Sequence, residues 1–443
     1  MPSPADLAIA LSRRIDTSAD RVRGLDEVFG GSLGGSRLLA ARKLDADLGD
    51  LLRVGANWAR FAIGATAERL ALSGFATNGT ERPDLFSLWR ASMPASSEAL
   101  LWLDVLRHGR AYLTSWTDDT GAPRLTAGSA RNTVHEIEPI TGSVTRVATR
   151  WIDPANGRPR LTIYSDADVV RLAASGGVAL DPDGAAPTAM AVSSWQTVEV
   201  VPNPLGRCPV SPIVLRASMT DTVGESDLTP LQGIQSAIDK VLCDLLVISE
   251  ALAAPRRWAT GVEVPLDPET GQPVDPFAGA GPGRFLVVED PAAKLGQLPA
   301  ADLAGPLALL ERLTEDLLSR ASVPRHLAIG GARGQQVNAE SIEAAEAGLL
   351  ARVAHRQAAL GDGVARAVRL LAEVATGRPE PFVVPKWHQA KTTTTAGQVD
   401  ALVKLLSAGV PGALAGRLVN LSPSDAAQLT TAPPAAPTLV IPS

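Results

Sequence analysis

The sequence predicts an α+β protein, because two kinds of hydrophobic periodicity occupy separate stretches of the chain. Apolar residues recur every three or four positions in residues 224–254, 302–322 and 338–376. This is the period of a helix with one buried face. Between residues 110 and 201, apolar and polar residues alternate in six short runs separated by turn residues, as in strands. A chain of 443 residues can also enclose two or three hydrophobic cores.

Residues 224–254 carry the most regular helical pattern, and Ser226 or Asp227 is suitably placed to cap the helix. About 27 residues would form a rod roughly 40 Å long. Its predicted buried and solvated faces consist of Leu228, Leu231, Ile234, Ile238, Val241, Leu242, Leu245, Ile248 and Leu252, and of Gln232, Gln235, Ser236, Asp239, Lys240 and Asp244. Such a rod suits an ordinary helical bundle, and it also suits a ring of subunits around a wet channel. Periodicity alone favours the ordinary bundle.

The other elements follow in order along the chain. A glycine-rich stretch, Gly30–Ser36, is a linker rather than a phosphate loop, because no Gly-Lys-Ser/Thr follows it. The predicted helices are short ones within residues 1–36, then 45–72, 85–92, 96–108, 224–254, 302–322, 338–376, 392–407, 412–418 and 422–429. The predicted strands are 111–116, 124–129, 133–140, 143–153, 160–165, 194–201, 258–264 and 285–289, with 201–212 an extended connector and 379–388 a strand or turn.

Composition argues against several function classes. The net charge of −6 gives no excess of basic residues for tight nucleic-acid binding. Only Cys208 and Cys243 are present, far apart, which favours reduced core cysteines over a disulfide framework or a zinc site. The N-terminus lacks the order of a signal peptide, and the most apolar run, residues 241–255, is too short to span a bilayer. We expect a cytoplasmic product without a membrane anchor.

No catalytic motif is apparent in the sequence. The nucleophile elbow, the zinc-protease helix, the P-loop and the dinucleotide fingerprint are all missing. The five histidines stand singly. His108 is best interpreted as a helix-end cation and His135 as a solvated strand residue. We therefore expect no enzyme activity, no cofactor and no metal, although a site assembled from distant segments would leave no such motif.

Five blocks of sequence resemble the portal proteins of tailed double-stranded DNA phages, particularly those of siphophages that infect actinobacteria. The blocks occur in the family's order and are Ala56–Phe75, Leu88–Trp116, Val201–Arg216, Leu228–Val262 and Asn338–Asp362. The resemblance implies a ring, usually of twelve subunits, at one vertex of the capsid. DNA would pass through its axial channel during packaging and ejection.

The resemblance also implies a portal fold with a wing, a two-helix stem, a clip, a long wing helix and a small helical crown. The segments are an N-terminal arm (1–44), the wing (45–223), stem helix 1 (224–253), the clip (254–300), stem helix 2 (301–322), the tunnel loop (323–337), the long wing helix (338–377), the crown (378–430) and a disordered tail (431–443). In this arrangement the stem helices of neighbouring copies stand side by side around the channel.

Candidate functional residues follow from this assignment. A channel through which DNA slides must avoid tight phosphate binding, so the stem faces are expected to be acidic or mixed in charge. The expected channel-lining residues are Asp239, Asp244, Glu311, Glu315 and Asp316. The expected DNA-facing tunnel-loop residues are Arg325, Arg333, Gln335 and Gln336, although the two arginines could instead pair with neighbouring subunits. The expected motor- and adaptor-binding clip residues are Asp267, Glu269, Asp275 and Arg284.

The implied partners are further copies of the chain, double-stranded DNA, the terminase large subunit, a head–tail adaptor, and the major capsid and scaffold proteins. A membrane is not among them. The implied location is the capsid vertex of a virion, after synthesis in the host cytoplasm. Two other classes remain open: a nucleotide hydrolase whose motif is unrecognised, and another capsid-associated structural protein.

Overall fold

The computed structural model describes residues 3–31, 56–177, 190, 192–253, 257–260, 266, 270–272, 294–297, 303–329, 339–390, 395–419, 421 and 429. These residues fall into two compact units, one with residues 3–31, 57–233 and 317–429, the other with 56 and 234–316. The α+β class is confirmed. Since the stem-and-clip prediction covered residues 224–322, the second unit corresponds to most of it.

Helices and strands alternate in blocks along the chain. The helices are α1 (Pro4–Gly30), α2 (Trp58–Ala67), α3 (Pro83–Ser92), α4 (Ala95–His108), α5 (Gln232–Ala253), α6 (Ala304–Arg320), α7 (Arg325–Ile329), α8 (Ala339–Thr376), α9 (Thr395–Ser407) and α10 (Gly412–Leu418). The strands are β1 (Leu72–Thr77), β2 (Thr80–Glu81), β3 (Arg110–Thr117), β4 (Pro123–Ser129), β5 (Thr133–Ile137), β6 (Val144–Ile152), β7 (Pro159–Ser165), β8 (Asp168–Ala174), β9 (Trp195–Pro202), β10 (Val210–Val214), β11 (Arg257–Thr260), β12 (Lys294–Gln297) and β13 (Val384–Trp387).

The N-terminal segment is one helix of 27 residues, where short helices in an arm were expected. Ser3 and Asp6 form a capping box at its start, which satisfies otherwise unpaired backbone N–H groups. Its apolar face packs on the antiparallel sheet β5-β6-β7-β8-β9 and forms one core with it. Arg150 of β6 is 1% exposed there, and its guanidinium lies 2.8 Å from Ser12 Oγ and 2.7 Å from Asp16 Oδ1. The helix therefore shares a core with a sheet of the predicted wing instead of forming a separate arm, and its amphipathic period was underestimated.

A buried carboxylate joins the helical and β parts of the wing. Glu98 of α4 is 3% exposed and accepts hydrogen bonds from the backbone N–H of Leu72 and from the indole N–H groups of Trp89 and Trp102. Arg90 supplies its counter-charge at 2.5 Å. A buried charge needs such compensation, because leaving it unpaired costs several kcal/mol. The network holds α3, α4 and the start of β1 together.

The long helix α8 lies against the sheet β10-β3-β4. Ser211 and Ser115 of that sheet donate hydrogen bonds from their hydroxyls to the carbonyls of Gly363 and Ala367, at 2.7 and 2.9 Å. A Cβ atom on Gly363 would lie 3.0 Å from Ile213 Cα, so glycine permits the close approach of helix and strand. The packing of α8 therefore requires glycine at position 363, although glycine is a poor helix former.

Most predicted elements are confirmed, and the exceptions have identifiable causes. β10 lies in the stretch predicted as a connector, because an edge strand can accept Pro212, which lacks an N–H. The stretch 45–72 was predicted as helix, but α2 ends at Ala67 and β1 begins at Leu72. β8 was not predicted at all. The segment predicted as the crown contains β13, α9 and α10. The third helix expected there, at residues 422–429, falls almost wholly outside the described residues.

His135 is buried rather than solvated, at 7% exposure. Its Nδ1 lies 2.9 Å from the hydroxyl of Tyr112. Burial and the nearby Arg110 lower its pKa to about 4, so the ring is neutral at physiological pH. The inward-facing position of His135 was not recognised, because polar residues lie near it in the strand sequence.

His108 is fully buried at the C-terminal end of α4, a position where the helix dipole favours a positive charge. Its Nε2 lies 2.8 Å from Asp26 Oδ1 and its Nδ1 lies 2.9 Å from Asp104 Oδ1. Burial alone would lower the pKa of His108, but the hydrogen bonds and charges of Asp104 and Asp26 outweigh it and raise the pKa above 6.5. The pKa of Asp26 is lowered, because contacts with His108 and Arg107 outweigh the opposing effect of burial.

This arrangement predicts a pH-dependent stability. A histidine whose pKa is higher in the folded state stabilises fully below its unfolded pKa, near 6.5, and that contribution is lost as the pH rises through the folded pKa. We expect the free energy of unfolding of the wild-type protein to fall more between pH 6 and pH 9 than that of His108→Gln. Urea unfolding at several pH values measures this, with exposed His355→Gln as the control. Equal pH profiles for wild type and His108→Gln would contradict the assignment.

Candidate nucleic-acid interface

The first predicted stem helix, α5, has 22 residues and begins after a 3-10 turn at Thr229–Leu231. Pro230 lies within that turn, so the α-helix starts later than predicted. Ser236 and Lys240 are exposed on its polar side. Lys240 Nζ lies 2.6 Å from Asp244 Oδ2, one helical turn away. The carboxylate of Asp244 is therefore balanced by a cation on the same helix.

Asp239 does not lie on the solvated face, contrary to the prediction. It is 6% exposed, and its Oδ1 accepts a hydrogen bond from Gln235 Nε2 at 2.9 Å. Gln235 is itself 2% exposed and also donates to the carbonyl of Ala56. Burial raises the pKa of Asp239. A buried carboxylate presents little charge to a channel, so we remove Asp239 from the candidate lining.

The apolar stripe of α5 is only partly available to neighbouring copies. Ile238 is fully buried within the single chain, and so is Leu231 in the preceding turn. Further along, Leu242, Leu245 and Ile248 are half-buried, and Leu246 is 37% exposed. The later turns of α5 therefore leave more apolar surface uncovered in the single chain than its first turns do.

The second predicted stem helix, α6, carries the other three candidate carboxylates. Glu311 is exposed, and Glu315 and Asp316 are half-buried. Arg312 Nη2 lies 3.3 Å from Asp316 Oδ1 on the next turn. Exposed pairs of this kind contribute well under about 1 kcal/mol to stability, but they make the local surface mixed rather than uniformly acidic. Leu307 and Leu309 near the start of the helix are about half exposed.

The predicted tunnel loop begins with a short helix. Ser322 has a left-handed backbone, with a φ of 56°, which follows the end of α6. Pro324 then precedes α7, and Arg325 is its first residue, exposed. His326 Nε2 of α7 lies 3.5 Å from Glu346 Oε1 of α8. Arg325 is thus mounted on a helix, while Arg333, Gln335 and Gln336 lie outside the described residues.

The clip candidates Asp267, Glu269, Asp275 and Arg284 also lie outside the described residues. Within the predicted clip, β11 and β12 pair antiparallel, with Trp258 opposite Gly296. Strand β11 confirms part of the strand predicted at residues 258–264. Strand β12, at Lys294–Gln297, was not predicted, and the expected strand at 285–289 lies outside the described residues.

The segments at the base of the two stem helices meet on α8. Asp227, which precedes α5, is 4% exposed and receives Arg356 Nη2 at 2.6 Å and Arg356 Nε at 3.2 Å. Arg352 Nη2 lies 3.0 Å from Asp227 Oδ2, and its Nη1 donates to the carbonyl of Arg320, the last residue of α6, at 3.3 Å. One arginine therefore contacts both the entry to the first stem helix and the exit from the second.

The backbone around Asp227 is fixed as well. Its N–H donates to the carbonyl of Leu106 at 2.9 Å, and the hydroxyl of Ser226 donates to the carbonyl of Arg107. Ser226 Oγ also accepts from the N–H of Leu228. The residue that caps the 3-10 turn is Leu228 itself, so the prediction of Ser226 or Asp227 as the N-cap was wrong. We name the set of Ser226, Asp227, Arg352 and Arg356 the stem anchor.

The stem anchor was not predicted from the sequence. The sequence placed Arg352 and Arg356 only within the predicted helix 338–376. Their spacing of four residues places them on one face of α8, which signals a shared partner. That partner is 129 residues away from Arg356, and no local pattern identifies a contact over that separation.

The stem anchor predicts a large cost for loss of the Asp227 charge. Asp227→Asn would leave two largely buried guanidiniums without their counter-ion, and such losses cost about 3 kcal/mol or more. We expect the urea midpoint to fall accordingly at matched protein concentration. Asp20→Asn, whose side chain is 95% exposed, is the matched control and should have little effect. Equal midpoints for the two variants would refute the structural role of the anchor.

The described residues offer neither a metal site nor a membrane span. No group of three or more His, Cys, Asp or Glu side chains in that part of the chain is arranged to hold a metal ion. None of the helices, over the residues that the structure describes, combines the length and hydropathy needed to cross a membrane.

Comparison with known proteins identifies the family. A family model described as phage portal protein, SPP1 Gp6-like, matches residues 53–410. The portal protein of Mycobacterium phage D29 is 28% identical over 362 residues, which cover 79% of this chain and 72% of the relative. The portal protein of Mycobacterium phage L5 is 27% identical over the same coverage.

Among solved structures, the chain is similar to one in the virion of a native gene transfer agent particle. The identity is 14%, the coverage is 87% of this chain and 98% of that chain, and the TM-score is 0.44. The family match, in contrast, spans most of the sequence, including the described parts of both predicted stem helices and of α8. The chain belongs to the family of phage portal proteins related to SPP1 Gp6.

Proposed function

We propose that copies of this chain form a ring, with twelve as the expected number, at one vertex of a capsid. Double-stranded DNA passes through the axial channel of this ring during packaging and ejection. The observation that carries the proposal is the family match over residues 53–410. The two portal proteins of mycobacteriophages, each similar to 79% of the chain, support it.

The charges of the described stem residues suit a conduit. Each phosphate that a protein neutralises adds a salt-sensitive increment to DNA affinity, and many such contacts would hold the duplex in place. In α5 and α6, Lys240 pairs with Asp244 and Arg312 pairs with Asp316, so cations on these helices are offset by carboxylates one turn away. We propose that Asp244, Glu311, Glu315 and Asp316 line the channel and keep phosphate binding weak.

A few cations near the end of α6 would then make weak contacts with the phosphates of the duplex. We propose that Arg325 and Arg333, with Gln335 and Gln336, face the DNA backbone. The exposure of Arg325 at the start of α7 supports this placement. Pairing of the two arginines with a neighbouring subunit is the competing arrangement, and it would make them structural instead.

Substituting both arginines distinguishes these arrangements. Arg325→Ala with Arg333→Ala should lower the salt dependence of duplex binding by assembled rings, by about one unit of the log–log slope for each phosphate that the variant no longer neutralises. It should also alter packaging and ejection. Arg158→Ala, at an exposed turn of the wing, is the control. An unchanged slope with unchanged packaging and ejection would exclude the contact.

The proposed partners divide between the parts of the ring. The clip, through Asp267, Glu269, Asp275 and Arg284, would dock the terminase large subunit and later the head–tail adaptor. The wing would meet the major capsid and scaffold proteins in the virion. The chain itself would hydrolyse no nucleotide, since the terminase supplies the energy. ATP hydrolysis by the isolated protein would instead favour the enzyme alternative.

Deleting part of the clip tests this division. Removal of residues within 267–283 should leave the rings intact, because the stem anchor and the wing core lie elsewhere in the sequence. Heads assembled with this variant should bind no terminase and protect no DNA from nuclease in a packaging reaction, whereas wild-type heads should do both. Loss of the rings themselves, seen by size-exclusion chromatography, would contradict the proposal that the clip is a docking element.

A further inference from the structure

A cavity of about 290 Å³ opens in the wing between the turn that joins β5 to β6, the start of β10, and α8. Three arginines line it: Arg207 before β10, and Arg366 and Arg369 on α8. Thr141 and Ser143 of the turn add two hydroxyl groups. None of these residues belongs to the stem, the tunnel loop or the clip, so the cavity plays no part in the function proposed above.

Arg366 stands out among the three arginines. It is half-buried, yet its guanidinium, with five N–H donors, makes no hydrogen bond or ion pair to any residue that the structure describes. Arg369 donates to the carbonyl of Pro381 at 3.3 Å, and Arg207 pairs with Glu373. Burial, and then repulsion from Arg369, lower the pKa of Arg366. A bound anion would stabilise a half-buried guanidinium that has no directly paired carboxylate.

The surrounding carboxylates do not neutralise the cavity. Glu373 is engaged by Arg207. Asp362 attracts Arg366 through space, but it is exposed and makes no ion pair with it. Glu138, on the β5–β6 turn, accepts hydrogen bonds from the backbone N–H groups of Ile140 and Thr141. Three guanidiniums therefore share a small volume with one directly paired carboxylate.

We propose that this cavity binds a phosphate group, with Arg366 as its principal ligand. Guanidinium forks match the oxygens of phosphate in paired hydrogen bonds. Three arginines on two facing segments, one before β10 and two on α8, suit a tetrahedral oxyanion better than a planar carboxylate with two oxygens. The hydroxyls of Thr141 and Ser143, which are 2.7 Å apart and bond to each other, can turn to donate to the same group.

The phosphate has two possible sources, which share one chemistry: free inorganic phosphate and the backbone of a DNA duplex. The experiment uses the full chain and separates them. Isothermal titration calorimetry with sodium phosphate, blanked against sodium chloride at equal ionic strength, measures the first. Fluorescence anisotropy with a labelled 12-base-pair duplex measures the second.

The decisive variant is Arg366→Gln, and Arg13→Gln, an exposed arginine of α1, is the matched control. We expect saturable phosphate binding that Arg366→Gln weakens about tenfold or more and Arg13→Gln leaves unchanged. Duplex binding abolished by Arg366→Gln alone would assign the site to DNA. Phosphate binding without such an effect on the duplex would assign it to the free ion.

The proposal is overturned if phosphate produces no more heat than chloride and Arg366→Gln leaves duplex binding unchanged, or if Arg366→Gln and Arg13→Gln bind both ligands equally well. Circular dichroism in phosphate-free buffer checks that the variant is folded. If Arg366→Gln does not fold, Arg366→Lys decides the question. It keeps the charge but loses the fork, so it should bind phosphate more weakly than wild type. Equal binding by Arg366→Lys would then count against the site.

Discussion

Arg352 contacts both ends of the stem, since one guanidinium bonds to Asp227 before α5 and to the carbonyl of Arg320 at the end of α6. Arg356, one turn later on α8, completes the coordination of Asp227 with two further contacts. Replacing a largely buried ion pair with apolar residues often changes the stability of the fold little, but removing one partner of the pair lowers it strongly. Such a pair also requires a specific geometry. The stem anchor thus ties the residue before the 3-10 turn and α5 and the last residue of α6 to one side chain of α8.

The wing supplies the rigid base that such an anchor needs. α8 is held on its sheet by the hydroxyls of Ser115 and Ser211 and by the close approach that Gly363 permits. α4, whose carbonyls receive Ser226 and Asp227, is held by the buried carboxylate of Glu98. These contacts hold the segments just before α5 and at the end of α6 on α8 and α4 within one compact unit.

Local periodicity predicted most of the fold. The helices α4, α5, α6 and α8 and six strands of the wing occur close to where the sequence placed them, because their patterns are long and regular. Strands that carry a proline or glycine, such as β10 with Pro212 and β1 with Gly74, were missed or misread since these residues normally punctuate strands.

The candidate site was harder to predict than the fold. Asp239 fits the polar face of an ideal helix, and only the three-dimensional packing reveals that it is buried beside Gln235. The partners of Arg352 and Arg356 lie far away in sequence. The functional prediction rested on the similarity of five sequence blocks to the portal family. The roles of the residues that would contact DNA or the packaging motor are proposals.

The central claim is that stems anchored in this way surround a hole through which a duplex can pass. Negative-stain electron microscopy of the purified full chain tests it most directly. We expect top views of closed rings with an open axial hole wide enough for a DNA duplex. A population of monomers at all concentrations, or discs without a hole, would contradict it.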